Sequence, residues 1–187
     1  MFTRKEVRGL FRVATVSGVP IFIHWSVVAI ALFMLTGALK KPVMTVVAMA
    51  SYLSILLVHE SGHALVAKTK HCEVYSVELY PIHGLCCFAQ PFNKRDHCVI
   101  AWGGVIAQVI VAIPLVTYIA FLGYPSLEAI DPVFALLGFF SLFIAAINLL
   151  PMGRLDGVLV WQLFPLIVKD WKKPKRPPKN PHGFRTY

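Results

Sequence analysis

Two histidines four residues apart with a glutamate between them, His59-Glu60-Ser61-Gly62-His63, are the residues of this chain best suited to chemistry. On a helix that spacing puts both imidazoles on one face, where they can share a tetrahedral zinc ion (Zn2+). Glu60 sits one residue further round and reaches a water on the open metal position without occupying a ligand site. Such a set points to metal-assisted hydrolysis. The stretch in front of it, Val43 to Leu56, holds no charged residue. The metal motif is therefore expected inside a membrane.

Composition agrees. The 187 residues are 57% hydrophobic and only 14% charged, with a mean hydropathy of +0.68. Those values lie outside the range of soluble globular domains. A net charge of +9 would suit nucleic acid. However, the basic residues flank apolar runs, where membrane topology puts them, and no aromatic-basic platform or groove-reading helix is visible. The lipid bilayer is the expected partner, and nucleic acid is not. Cys72, Cys86, Cys87 and Cys98 all fall in one connecting segment. If that segment faces the cytosol they are reduced thiols.

The elements that must position the motif follow in order. After basic residues 1–20, a first apolar run from Ile21 to Leu39 is long enough to cross a hydrocarbon core of ~30 Å. A cleaved signal peptide is the competing reading, but the run is long and no small-x-small site clearly follows it. Lys40-Lys41-Pro42 turns into a second span, Val43 to Ala67, which carries the motif. A polar segment follows in which Val74 to Tyr80 alternates like a strand, with Tyr75, Val77 and Leu79 on one face. Pro81 to Gly84 supplies a turn, and Leu85 to Ala89 returns. The third span runs from Cys98 to Leu122, and the fourth run from Pro132 to Leu150. The fourth breaks at Pro151 to Arg154 and is completed by a half-helix or interfacial helix ending at Val168. The expected fold is thus an all-α polytopic membrane protein of about four transmembrane helices, the fourth broken. A small β-hairpin-like segment sits between the second and third. Residues 1–168 form one integral-membrane domain, and 169–187 a basic, unstructured tail.

Lys and Arg fix the orientation. Segments 1–20, 68–97 and 169–187 hold four, four and seven of them, against two at Lys40 and Lys41. Both termini are then cytosolic, in the plasma (inner) membrane. The second span and the fourth run both descend toward the cytosol, which brings Asn148 and Asp156 to the depth of His59 and His63. Zinc needs a third protein ligand. Glu73 and Glu78 lie in the polar segment, and Glu128 and Asp131 on the far face. Asp156 is the carboxylate at matching depth, although a helix cap is its bland alternative. His24 is an interfacial anchor or a site residue, and Arg154 a topology-setting charge. Gly103, Gly104 and Ala107 permit close helix packing. His71, Cys72, His83, Cys86, Cys87, His97 and Cys98 fit no standard zinc spacing.

Four stretches together resemble the site-2 protease family of intramembrane zinc metalloproteases. They are Gly18-Val19-Pro20 with His24, His59-Glu60-Ser61-Gly62-His63, Gly104 to Gln108, and Asn148-x-x-Pro151-x-x-x-Leu155-Asp156-Gly157. The chain departs from the family's pattern at Val158, Gln108, Arg154 and Leu85, none of them a ligand. The resemblance implies a three-helix core in which His59, His63 and Asp156 hold zinc and Glu60 is the general base. It also implies a membrane-protein substrate cut within or beside a transmembrane segment, commonly after a first cut by another protease. The family's accessory peptide-binding or nucleotide-sensing domains have no room here. Asn148 is expected to steady the substrate backbone or the oxyanion. Val74 to Tyr80 is expected to pair with the unwound substrate as an added strand. The rivals are a catalytically inactive membrane scaffold, a metal carrier, or a different membrane zincin acting on soluble or prenylated peptides.

Overall fold

The computed structural model describes residues 9–37 and 41–172. The chain is mostly helical, with one small sheet. Strands β1 (Leu10–Val16) and β2 (Val19–His24) precede helices α1 (Trp25–Gly37) and α2 (Pro42–Thr69). Strands β3 (Val74–Leu79) and β4 (Gly84–Phe88) lead into α3 (Lys94–Leu122). A composite helix α4 (Glu128–Asn148) follows, π-helical over Phe134–Phe140. Short helices α5 (Gly157–Val160) and α6 (Leu163–Lys172) end the described chain. Among the described residues, α2, α3 and α4 are long and apolar enough to cross a membrane.

The ends of the long helices have local causes. Pro42 opens α2 at a position where its missing N–H costs nothing. Asn93 caps α3 by accepting from the Asp96 N–H at 2.7 Å. Gly123, at φ +77°, ends α3 in a conformation few other residues take. α2 and α3 lie backbone to backbone: a Cβ added at Gly62 would stand 2.2 Å from the Gly103 carbonyl oxygen. That contact is possible only between glycines.

The run expected as a first span opens as a strand before it turns helical. Ser17 and Gly18, both at positive φ, form a two-residue hairpin turn, and Val19–His24 runs antiparallel to β1. Among the described residues α1 holds thirteen of that run, or ~20 Å at the helical rise. The all-α expectation is corrected in the same way, since the β-hairpin segment is half of a four-stranded sheet ordered β1-β2-β3-β4. β2 pairs parallel to β3, and β3 antiparallel to β4. β3 therefore has both edges occupied and cannot accept a substrate strand. Val77 and Leu79 pack with Val19, Ile21, Leu56 and Ala64 between sheet and α2. Tyr75 leaves that face because the pairing shifts between Val74 and Ser76.

The fourth run matches expectation up to Asn148, and its continuation is a pair of short helices. The second of these reaches Lys172, past the Val168 expected as its end. The basic tail from 173 onward, Lys40, and the N-terminal Arg4, Lys5 and Arg8 lie outside the described residues.

Candidate active site

α2 carries His59, Glu60 and His63 in its lower third, all buried. His59 lies ~26 Å and Asn148 ~30 Å along helices that start at the same end, as the Lys41–Glu128 ion pair between those starts shows. His59 and Asn148 are therefore at similar distances from that end of the helices. The break after α4 then turns Asp156 back toward α2. His59 Nε2 and His63 Nε2 lie 3.0 and 3.2 Å from Asp156 Oδ2, and 3.1 Å from each other. Ligands of a tetrahedral zinc at ~2.0–2.2 Å lie about 3.3–3.6 Å apart. The triangle is within a few tenths of an ångström of that size. Among the described residues this is the one trio of His, Cys, Asp or Glu close enough to hold a metal ion.

The chemistry of the three atoms also fits. His63 Nδ1 lies 2.9 Å from the Ile100 carbonyl oxygen. A carbonyl only accepts, so Nδ1 carries the hydrogen and neutral His63 turns a bare lone pair inward. His59 Nδ1 lies 2.9 Å from Gln108 Oε1 and is polarised alike. Asp156 Oδ2 is buried without a hydrogen-bond partner. Two lone pairs and a carboxylate oxygen converge, which is an arrangement that a cation completes.

Ile100, Gly104 and Gln108 are spaced by four on one face of α3, and together they frame the two imidazoles. A Cβ at Gly104 would lie 2.6 Å from His63 Nε2 and 2.8 Å from His59 Nε2. Gly104 was expected only to ease helix packing; it also vacates the space beside the two Nε2 atoms. Gln108 is a partner that sequence reasoning missed, treating it as the end of a matching stretch and as a departure from the family's pattern there. Its signal was present, as a carboxamide in the middle of an apolar span is costly without a purpose.

Asp156 occupies the position before α5, but its side chain makes no capping hydrogen bond. The helix-cap alternative is thereby removed. The approach depends on Gly157, where a Cβ would meet the Leu149 carbonyl oxygen at 2.3 Å. Trp161 Nε1 donates to that same oxygen at 2.6 Å.

Glu60 faces the start of β4. A Cβ at Gly84 would stand 2.5 Å from Glu60 Oε1, and Glu60 accepts a hydrogen bond from the Cys86 N–H. A cavity of about 840 Å³ opens onto Glu60, Gln108, Asn148, Arg154 and Asp156, with β4 as part of its wall. Cys86 also lines it. Burial, with the charges of Glu60 and Cys87, pushes its thiol up to about 12. Its sulfur is not one of the three converging ligand-type atoms.

Of the other residues singled out, His83 and His97 border the same cavity without joining the trio, and His24 and Cys72 lie off it. His24 packs between the rings of Trp25 and Tyr80, off the cavity wall. His83 stacks on Tyr80, and His97 meets Phe88 edge-on. Cys72 is buried beside Ala67 and Ile100. All four cysteines are free of disulfides.

No family model matches the sequence, and no curated protein matches it. Among solved structures the chain is similar to the site-2 protease from Methanocaldococcus jannaschii, with a TM-score of 0.62 and 20% identity. The likeness covers 87% of this chain and 73% of that one. With three spans around a His-His-Asp cluster, this chain has the fold of a site-2 protease.

Proposed function

We propose that the protein is an intramembrane zinc metalloprotease that hydrolyses a peptide bond within or next to a transmembrane segment of a membrane protein. The observation that carries this reading is the convergence of His59 Nε2, His63 Nε2 and Asp156 Oδ2 beside a buried glutamate. His59, His63 and Asp156 are the zinc ligands. Bound zinc supplies Lewis acidity that makes water acidic near neutral pH. Glu60 takes the proton from the attacking water and returns it to the leaving amine. Asn148, on the same cavity wall, donates its amide to the substrate backbone or to the developing oxyanion. The basic bias of residues 68–97 supports a site opening toward the cytosolic face of the inner membrane, with both termini on that side.

A helical substrate keeps its carbonyls in its own hydrogen bonds and must unwind before it can be cut. β4 is the sheet edge beside Glu60, and the Cys86 N–H points out of the sheet toward the site. An unwound segment adds to that edge, which transfers to β4 the role first expected of Val74 to Tyr80. By strand alternation Phe88 also turns its N–H outward. Phe88→Pro should therefore cut turnover by about tenfold or more while leaving zinc content and the sheet intact. Unchanged turnover would discard strand addition at β4.

The reading is tested by Glu60→Gln, which should hold zinc stoichiometrically, lose at least ~1000-fold in cleavage, and trap uncut membrane proteins in cells. A metal carrier would tolerate that substitution. Wild-type protein purified without stoichiometric zinc, or a trap that accumulates no membrane-spanning partner, would remove the protease assignment.

A further inference from the structure

We propose that Gln108 serves the substrate as well as the metal site: its carbonyl oxygen holds His59, and its amide donates to a backbone carbonyl of the bound peptide. The proposal rests on the protease reading. Gln108 is wholly buried, in a span where a polar group without a partner is costly. Its Oε1 lies 2.9 Å from His59 Nδ1, whereas its Nε2 has no hydrogen-bond partner.

A carboxamide usually relieves such an imbalance by turning over. This one cannot. His59 Nε2 faces Asp156 Oδ2 at 3.0 Å and His63 Nε2 at 3.1 Å. A metal held there takes the Nε2 lone pair, which leaves the hydrogen on Nδ1. An Nδ1–H needs an acceptor, so Oε1 must face His59 and the NH2 group must face away. The unpaired donor is a consequence of the metal site itself.

Gln108 borders the cavity that also meets Glu60, Asn148 and Asp156. A peptide unwound there brings carbonyl oxygens that have lost their helical partners. Those are the acceptors this donor lacks. Glutamine meets both demands, whereas glutamate would keep the acceptor and lose the donor. Methionine would keep the approximate volume and lose both.

The full chain, purified in detergent, is measured in three forms: wild type, Gln108→Glu and Gln108→Met. Zinc affinity is read by chelator competition. Ligand binding is read with acetohydroxamate and with a peptidyl hydroxamate carrying four apolar residues. The ratio of the two affinities cancels any general effect of charge on hydroxamate binding. Gln108→Glu should bind zinc at least as tightly as wild type to within about threefold, while its preference for the peptidyl probe drops about tenfold or more. Gln108→Met should weaken zinc binding by about 10–100-fold. An undiminished peptidyl preference in Gln108→Glu would show that the amide makes no substrate contact. Wild-type zinc affinity in Gln108→Met would overturn the hold on His59. If wild type itself bound neither zinc nor hydroxamate, the protease reading would fall and this inference with it.

Discussion

The two sides of the His-His-Asp cluster are built in different ways. On one side, His59 and His63 ride a 28-residue helix, and α3 holds both of their outer nitrogens, through Gln108 and the Ile100 carbonyl. The two helices touch through glycine backbones, so neither can shift without the other. On the other side, Asp156 comes from an irregular stretch in front of a four-residue helix. Its side chain is 22% exposed, against 10% and 9% for the histidines. The helical side sets which lone pairs point inward, and the break contributes the charge that closes the triangle. Ring orientation is thus fixed by rigid packing, while the most exposed of the three side chains sits on an irregular stretch.

That division is broken most severely at Gly104. Its added methyl would occupy the space beside the two Nε2 atoms, and both rings are anchored from behind by the same helix. Neither can retreat. Gly104→Ala should lose at least ~100-fold in zinc affinity, beyond the usual cost of altering an outer-shell partner. The rise in Tm on adding zinc should vanish with it, because that rise is mass action on the folded state. Gly157→Ala tests the other side. Its methyl would collide with the Leu149 and Leu150 carbonyls, displacing Asp156 while the histidines keep their partners. The expected loss is smaller, about 10–100-fold, with a reduced but measurable Tm response. Equal losses in the two variants, measured by the same chelator titration, would mean that the break is as rigid as the helical pair.

The same division governs how much could be read from sequence. The histidine pair is local, since a spacing of four on a charge-free helix settles both its face and its surroundings. Asp156 was legible through counting, because a consistent orientation of spans put it at the right depth. The N-terminal hairpin was not. Ile21-Phe22-Ile23 continues into Trp25 and beyond without a charge, so apolar content alone cannot separate a strand from the start of a span. It is a strand because it pairs with β1 across the hairpin and, far away in the chain, with Val77, Glu78 and Leu79. That pairing also determined that β3 is interior and β4 the open edge. Gln108 stood four residues from Gly104 in plain view, but the histidine it faces depends on how α2 and α3 pack.

The smallest effect sharpens the comparison most, because it touches the break without filling any space. Trp161 Nε1 donates to the carbonyl of Leu149, the residue that caps the end of α4, where carbonyls have no helical partner of their own. Trp161→Phe removes the hydrogen bond and keeps a large aromatic ring against Phe164. A neutral hydrogen bond contributes about 1 kcal/mol, and this one lies where water can replace the donor. Zinc affinity should therefore fall by less than about tenfold, with a Tm change of a few degrees at most. If the break is held chiefly by the close packing of Gly157, the loss stays within that bound. A loss as large as that of Gly157→Ala would show instead that the indole clamp, and not the glycine contact, carries Asp156 to the histidines.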